Sequence, residues 1–175
     1  LTAMQEDLSS YKGKTSTSSP SPHEWENAFG DADVVFCITI TSALSGTYNS
    51  AVIAKDIYEQ NHIGRKVYVL DSLSTGPEIA LFIEKIAELI KSGFAPDDIY
   101  KMLLEYKDKT HLYFSLASLN NFAKNGRISP VIAAGIGLLG VRVVGKASEE
   151  GTLLPLDKCR GEKRALKKLI EHLKE

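Results

Sequence analysis

Residues 33–41 carry the run Val34-Val35-Phe36-Cys37-Ile38, β-branched, aromatic and almost unbroken in hydrophobicity, which predicts a strand buried on both faces. A polar loop follows, Thr41-Ser42-Ala43-Leu44-Ser45-Gly46, and then Tyr48, Val52 and Ile53 space apolar groups as a helix does, as far as about Gln60. The same order recurs at once. A strand is expected over 66–70, a loop at Asp71-Ser72-Leu73-Ser74-Thr75-Gly76, and a helix over 77–91 with Ile79, Phe82, Ile83, Ile86 and Ile90 on one side. Strands alternating with helices at this spacing predict right-handed crossovers and a parallel sheet with helices on both faces. The fold class is therefore α/β.

The flanking segments fit this frame. Ser21 and Pro22 supply an N-cap and a first-turn proline for a short helix carrying Trp25 and Phe29, which Gly30 can end. Gly93 stops the helix over 77–91, and Pro96 with Asp97 and Asp98 opens another that runs to about Tyr106. Residues 111–116 are a third strand candidate for the same sheet. Beyond them the pattern changes. A short helix over 119–125 closes at Asn125-Gly126, and a small-residue helix is expected over 131–139. Strands over 141–147 and 152–156 around Ser148-Glu149-Glu150-Gly151 form a hairpin candidate. An amphipathic helix over 161–175 comes last, with His172 near its end in a solvated or dipole-facing position. We place a boundary near Ser118, giving an N-terminal α/β region over 1–118 and a portion of a second, smaller α/β subdomain over 119–175.

Composition narrows the function. The chain has 175 residues, 43% of them hydrophobic and 25% charged, which excludes disorder as its main state. Its 21 Lys and Arg stand against 22 acidic residues, so no basic field exists to recruit nucleic acid. The longest apolar stretch, 131–141, is far short of the roughly 20 residues that cross a bilayer, and no stable membrane insertion is expected. The first residues lack the elements of a signal peptide, so a cytoplasmic protein is expected; a start at Leu1 rather than Met suggests sequence upstream. Cys37 and Cys159 are expected as two unpaired thiols. His23, His62, His111 and His172 are scattered without metal-ligand spacing, and no metal or cofactor is expected.

In a parallel α/β sheet, ligands gather beyond the carboxyl ends of the strands. Thr41-Ser42-Ala43-Leu44-Ser45-Gly46-Thr47 has that place, with a glycine for close backbone approach, hydroxyl donors and a helix N-terminus, so an anion suits it. Ordinary helix capping explains Ser45 and Thr47 equally. The sequence lacks a Walker A ending and a dinucleotide glycine fingerprint, which disfavours a nucleotide. The loop at Asp71 has the same placement, although Asp71 and Ser72 suit an Asx-turn. The run Lys12-Gly-Lys-Thr-Ser-Thr-Ser-Ser-Pro-Ser-Pro22 adds hydroxyls to a linker-like segment. No Gly-x-Ser-x-Gly elbow accompanies Ser45, so no catalytic residue is assigned.

Several motifs together resemble the DegV family of bacterial fatty-acid-binding proteins. Thr17-Ser18-Ser19-Pro20-Ser21-Pro22 is similar to its Thr-Ser-x-Pro-Ser-Pro segment, and Thr41-Ser42-Ala43-Leu44-Ser45-Gly46-Thr47-Tyr48 to its Ser-Ser-x-Leu-Ser-Gly-Thr-Tyr loop. Asp71-Ser72 ends a strand as the family's Asp-Ser does. Asn125-Gly126-Arg127-Ile128-Ser129 resembles Gly-Gly-Arg-Ile-Ser, Val141-Arg142 resembles Ile-Lys, and Cys159-Arg160-Gly161 resembles Val-Arg-Gly. The resemblance implies a protein that holds a long-chain fatty acid in an interdomain tunnel and presents its carboxylate to a fatty-acid kinase, a carrier and not an enzyme. It implies Thr17 and Ser45 as head-group donors, with Ser18, Gly46, Thr47 and Arg127 beside them, Arg160 as a kinase contact, and the helix over 131–139 as tunnel wall. The competing reading is an enzyme or binding module for a small phosphorylated or acyl metabolite held by Ser45-Gly46-Thr47. The family's opening strand with its Asp-Ser-Thr loop and its closing segment with a His are missing from the sequence, which leaves a portion of a longer protein or a member that has lost binding.

Overall fold

The computed structural model of the protein describes residues 11, 13, 15–128 and 141–174. Among the described residues the first helix, α1 (Pro22–Phe29), starts where Ser21 and Glu24 close a capping box: the Ser21 hydroxyl accepts from the Glu24 N–H at 3.2 Å, and the Glu24 carboxylate accepts from the Ser21 N–H at 2.8 Å. Strand β1 (Val34–Thr39), helix α2 (Thr47–Asn61) and strand β2 (Lys66–Asp71) then form a β–α–β unit. The two strands are parallel and in register from Val34 opposite Lys66 to Thr39 opposite Asp71. Helices α3 (Gly76–Lys91) and α4 (Pro96–Lys107) follow.

Alternation along β2 divides its side chains between two cores. Val67 and Val69 pack with Cys37, Phe29, Ala51, Ala54 and Tyr58 under α1 and α2, whereas Leu70 packs with Phe82, Ile86, Leu89, Ile99 and Leu103 under α3 and α4. Helices thus cover both faces of the parallel pair, as expected. Tyr58, fully buried, keeps its hydroxyl satisfied by donating to the carbonyls of Ala32 (2.8 Å) and Gly30 (3.2 Å).

Three sequence expectations are corrected. The third strand candidate, β3 (Tyr113–Leu116), does not join the parallel sheet; it pairs antiparallel with β4 (Val141–Ala147), which pairs antiparallel with β5 (Leu153–Arg160). A four-residue strand is placed by the partner edge it finds, and that edge lies more than twenty residues further along the chain. On α3 the buried stripe is Glu78, Phe82, Ile86 and Leu89, while Ile83 and Ile90 are 56% and 54% exposed. The stripe that meets α4 and the sheet lies one residue step around the helix from the expected one. His172, at the end of α6 (Glu162–His172), is not left to solvent: its Nε2 lies 2.6 Å from the Asp157 carboxylate of β5.

Helix α6 covers one face of the antiparallel sheet through Ala165 and Leu169 against Val144 and Cys159, and the short α5 (Asn120–Lys124) sits on the other with Leu119, Phe122, Ile128 and Val143. The small-residue helix expected over 131–139 lies outside the described residues. Both cysteines are free and buried. Burial pushes the Cys37 thiol up to about 11 from the ordinary 9.0. The folded state holds this proton longer than the unfolded chain does, so the stability tied to it is full below about pH 9 and falls as the pH rises toward 11. Native protein treated with iodoacetamide at pH 8 is expected to leave Cys37 unmodified, with alkylation appearing only in denaturant; rapid native alkylation would contradict its packing.

Candidate functional site

Because β1 and β2 are parallel and in register, their carboxyl ends Thr39 and Asp71 lie side by side, and the loops after them emerge together. Thr41 organises the first loop. Its carbonyl accepts from the N–H groups of Leu44 and Ser45, both at 3.2 Å, and its hydroxyl accepts from the Ala43 N–H at 3.2 Å while donating to the Gly151 carbonyl at 2.9 Å. Gly151 is the tip of the β4–β5 hairpin, at φ +75°, and a Cβ there would run into the Thr41 hydroxyl. The second loop is set by Asp71, whose carboxylate accepts from the Leu73 N–H at 3.1 Å in an Asx-turn, with Leu73 at φ 52°. The Ser45 and Thr47 hydroxyls lie 2.7 Å apart, and Thr47 N–H donates to the Ser45 oxygen at 3.3 Å. Gly46, the residue before α2, has φ −73° and would bring a Cβ to 3.5 Å from the Ser19 hydroxyl, an ordinary contact, so its backbone does not require glycine.

A polar strap closes the other side. The Ser50 hydroxyl donates to the Pro20 carbonyl at 2.5 Å, fastening residues 15–20 to α2. At the far end of the strap, Thr15 N–H donates to the Asn121 carboxamide oxygen at 3.2 Å and the Asn125 carboxamide donates to the Thr15 carbonyl at 2.9 Å. Arg127 comes from the turn after α5; its Nε donates to the Leu44 carbonyl at 2.9 Å and its Nη1 to the Asn125 carbonyl at 2.6 Å. These two bonds fix the guanidinium plane between the loop and the turn after α5.

Between these elements opens a cleft of about 590 Å³, lined by Thr15, Ser16, Thr17, Ile40, Leu44, Ser45, Thr75, Asn121, Phe122, Asn125 and Arg127. The structure brings Thr17, Ser45 and Arg127 to one cleft from three distant stretches of the sequence. Ser18, Gly46 and Thr47 stand next to it without lining it, and Arg160, exposed at the end of β5, lies apart from it. The sequence reading missed Asn121 and Phe122. Two adjacent asparagines opening a short helix were the available signal, because asparagine favours side chain to backbone bonds over helix interiors.

A larger cleft of about 700 Å³ lies between the start of α3, the α4–β3 connection and the β4–β5 hairpin. It sets Lys107 and Lys146 against Glu78, Asp108, Glu149 and Glu150, a lining of mixed charge. Among the described residues no group of three or more His, Cys, Asp or Glu could hold a metal ion, and no helix is long and apolar enough to cross a membrane.

The fold and cleft define an α/β protein whose hydroxyl-bearing loops stand at the carboxyl ends of a parallel β–α–β unit and are backed by a small antiparallel sheet. The DegV family model matches residues 2–175. A DegV domain-containing protein of Streptococcus pneumoniae is 41% identical over 170 residues, covering 97% of this chain and 60% of that protein. The crystal structure of a DegV family protein from Eubacterium eligens, loaded with heptadecanoic acid, has a TM-score of 0.93 and 42% identity over 99% of this chain and 63% of its own. The Streptococcus pneumoniae Fatty Acid Kinase (Fak) B3 protein loaded with linoleic acid likewise has a TM-score of 0.93, with 41% identity over 98% of this chain and 61% of its own. The chain belongs to the DegV family. It spans about 60% of the length of the curated relatives it matches.

Proposed function

We propose that the protein binds a long-chain fatty acid, with the carboxylate at the hydroxyl-lined cleft and the hydrocarbon in a tunnel between the regions 1–118 and 119–175, and presents that carboxylate to a fatty-acid kinase. The observation that carries this reading is the convergence of Thr17, Ser45 and Arg127 on one cleft that also exposes Ile40, Leu44 and Phe122. Hydroxyl donors hold a carboxylate by charge-assisted hydrogen bonds, and each buried CH₂ contributes about 0.8 kcal/mol, so the tail supplies affinity and the cleft supplies orientation. The fatty acids in the Eubacterium eligens and Streptococcus pneumoniae structures support the ligand class.

In this reading Thr47 orients the Ser45 hydroxyl through their 2.7 Å contact, and Ser18 and Gly46 flank the head group. The lining of hydroxyls, carboxamides and one guanidinium suits holding an anion, which favours a carrier over an enzyme. The fatty acid is then the ligand this chain carries, and the chain itself needs no cofactor. Strand β3 is what the N-terminal region lends to the second sheet. Arg160, exposed, faces the kinase, and both proteins work in the cytoplasm.

Organic extraction of the purified protein followed by mass spectrometry is expected to give a stoichiometric fatty acid; none at all would end the reading. Ser45→Ala, which removes one hydrogen bond to a charged group, should weaken fatty-acid retention by about tenfold or more. Retention equal to the parent would remove Ser45 from the head-group site. Arg160→Ala should slow acyl phosphate formation by the kinase while leaving the fatty-acid content unchanged.

A further inference from the structure

We propose that Asp71 is a positioning residue, which fixes the conformation of the loop that presents Ser45 without touching the ligand. The proposal rests on the fatty-acid reading of the cleft for its consequence, though not for its geometry. Asp71 is the last residue of β2, opposite Thr39, and so stands beside the point where the chain leaves β1. Its carboxylate accepts from Leu73 N–H in the local turn, and also from Ser42 N–H, at 3.1 Å to Oδ1 and 3.3 Å to Oδ2. The bond to Leu73 is all that an Asx-turn needs. The bond to Ser42 reaches 29 residues back along the chain and serves only to tie one loop to the other.

Three residues beyond Ser42 stands Ser45, and the segment between them is held by Thr41 and by Arg127 at the Leu44 carbonyl. Asp71 is absent from the cleft lining, as a carboxylate should be beside an anion site, where like charge would repel the ligand. It directs its charge at two backbone N–H groups, in bonds stronger than neutral ones.

The test compares Asp71→Ala with Asp71→Asn in the purified protein. Hydrogen exchange followed by mass spectrometry reads the backbone of 41–47, and extraction reads fatty-acid retention. Asn keeps an Oδ1 acceptor for both N–H groups. Asp71→Ala is therefore expected to speed exchange in 41–47 by about tenfold or more and to lower retention comparably, with exchange around Phe82 and Ile86 unchanged and Asp71→Asn close to the parent in both. Unchanged exchange in 41–47 overturns the proposal, as does faster exchange with full retention. If Asp71→Ala does not fold, Asp71→Ser replaces it, because its hydroxyl can still form the local turn with Leu73 but is too short for Ser42. Faster loop exchange in protein that carries no fatty acid in any form, parent included, supports Asp71 as the holder of the loop and removes the ligand reading alone.

Discussion

Replacing Gly151 with Ala is expected to destabilise the protein by about 2–5 kcal/mol, among the largest effects of adding a single methyl group anywhere in the described chain. Two costs add. At φ +75° an L side chain costs about 1–2 kcal/mol by crowding its own backbone. The new Cβ would also meet the Thr41 hydroxyl and come to 3.0 Å from Leu73 Cα, and such overpacking typically costs about 1–3 kcal/mol. Thr41 can withdraw only by giving up its bond to the Gly151 carbonyl, and Leu73 is backbone that Asp71 already holds in place. Gly64 is the control: its φ is +89° but nothing lies within 4 Å of its added Cβ, so Gly64→Ala should cost only the backbone share. Urea unfolding of both variants separates the terms. Equal losses at the two positions would show that the hairpin tip is not packed against the ligand loop.

Phe82→Ala should cost about 3–5 kcal/mol, whereas Ile83→Ala, one residue further on, should stay within about 0.5 kcal/mol. Phe82 is fully buried, shares a core cluster with Ile86, Leu89, Ile99 and Leu103, and meets the Tyr106 ring edge-on at 5.9 Å. Ile83 is more than half exposed. Thermal unfolding of the two variants reads directly which stripe of α3 faces the core; comparable losses would restore the face expected from the sequence.

That face was illegible for a physical reason. With Ile79, Leu81, Phe82, Ile83, Ile86, Leu89 and Ile90 in one helix, apolar groups lie on more than one side, and periodicity alone cannot choose among them. The α/β alternation was legible because each strand and helix carries its own local period and its own start and stop signals, such as Ser21-Pro22 and Gly93. The same holds for the two hydroxyl loops, whose place after parallel strands follows from the class. What escaped was non-local. The partner of β3, the docking of Gly151 on Thr41, the closure of His172 on Asp157 and the grip of Asn121 and Asn125 on Thr15 are pairings between segments that no local period records.

The strap over residues 15–20 also fixes an order of events. Its bonds to Asn121 and Asn125 join residues 106 and 110 apart, and the Thr41 to Gly151 bond spans 110, whereas the β1–α2–β2 unit closes over about thirty. Long closures carry the larger chain-entropy cost and are made after local ones. The cleft therefore assembles last, on a parallel unit already formed. Held by a few polar bonds and by little buried apolar surface, the strap is also a segment that opens from the native state at low free energy. A protease that cuts there would erase the cleft while both cores remain folded.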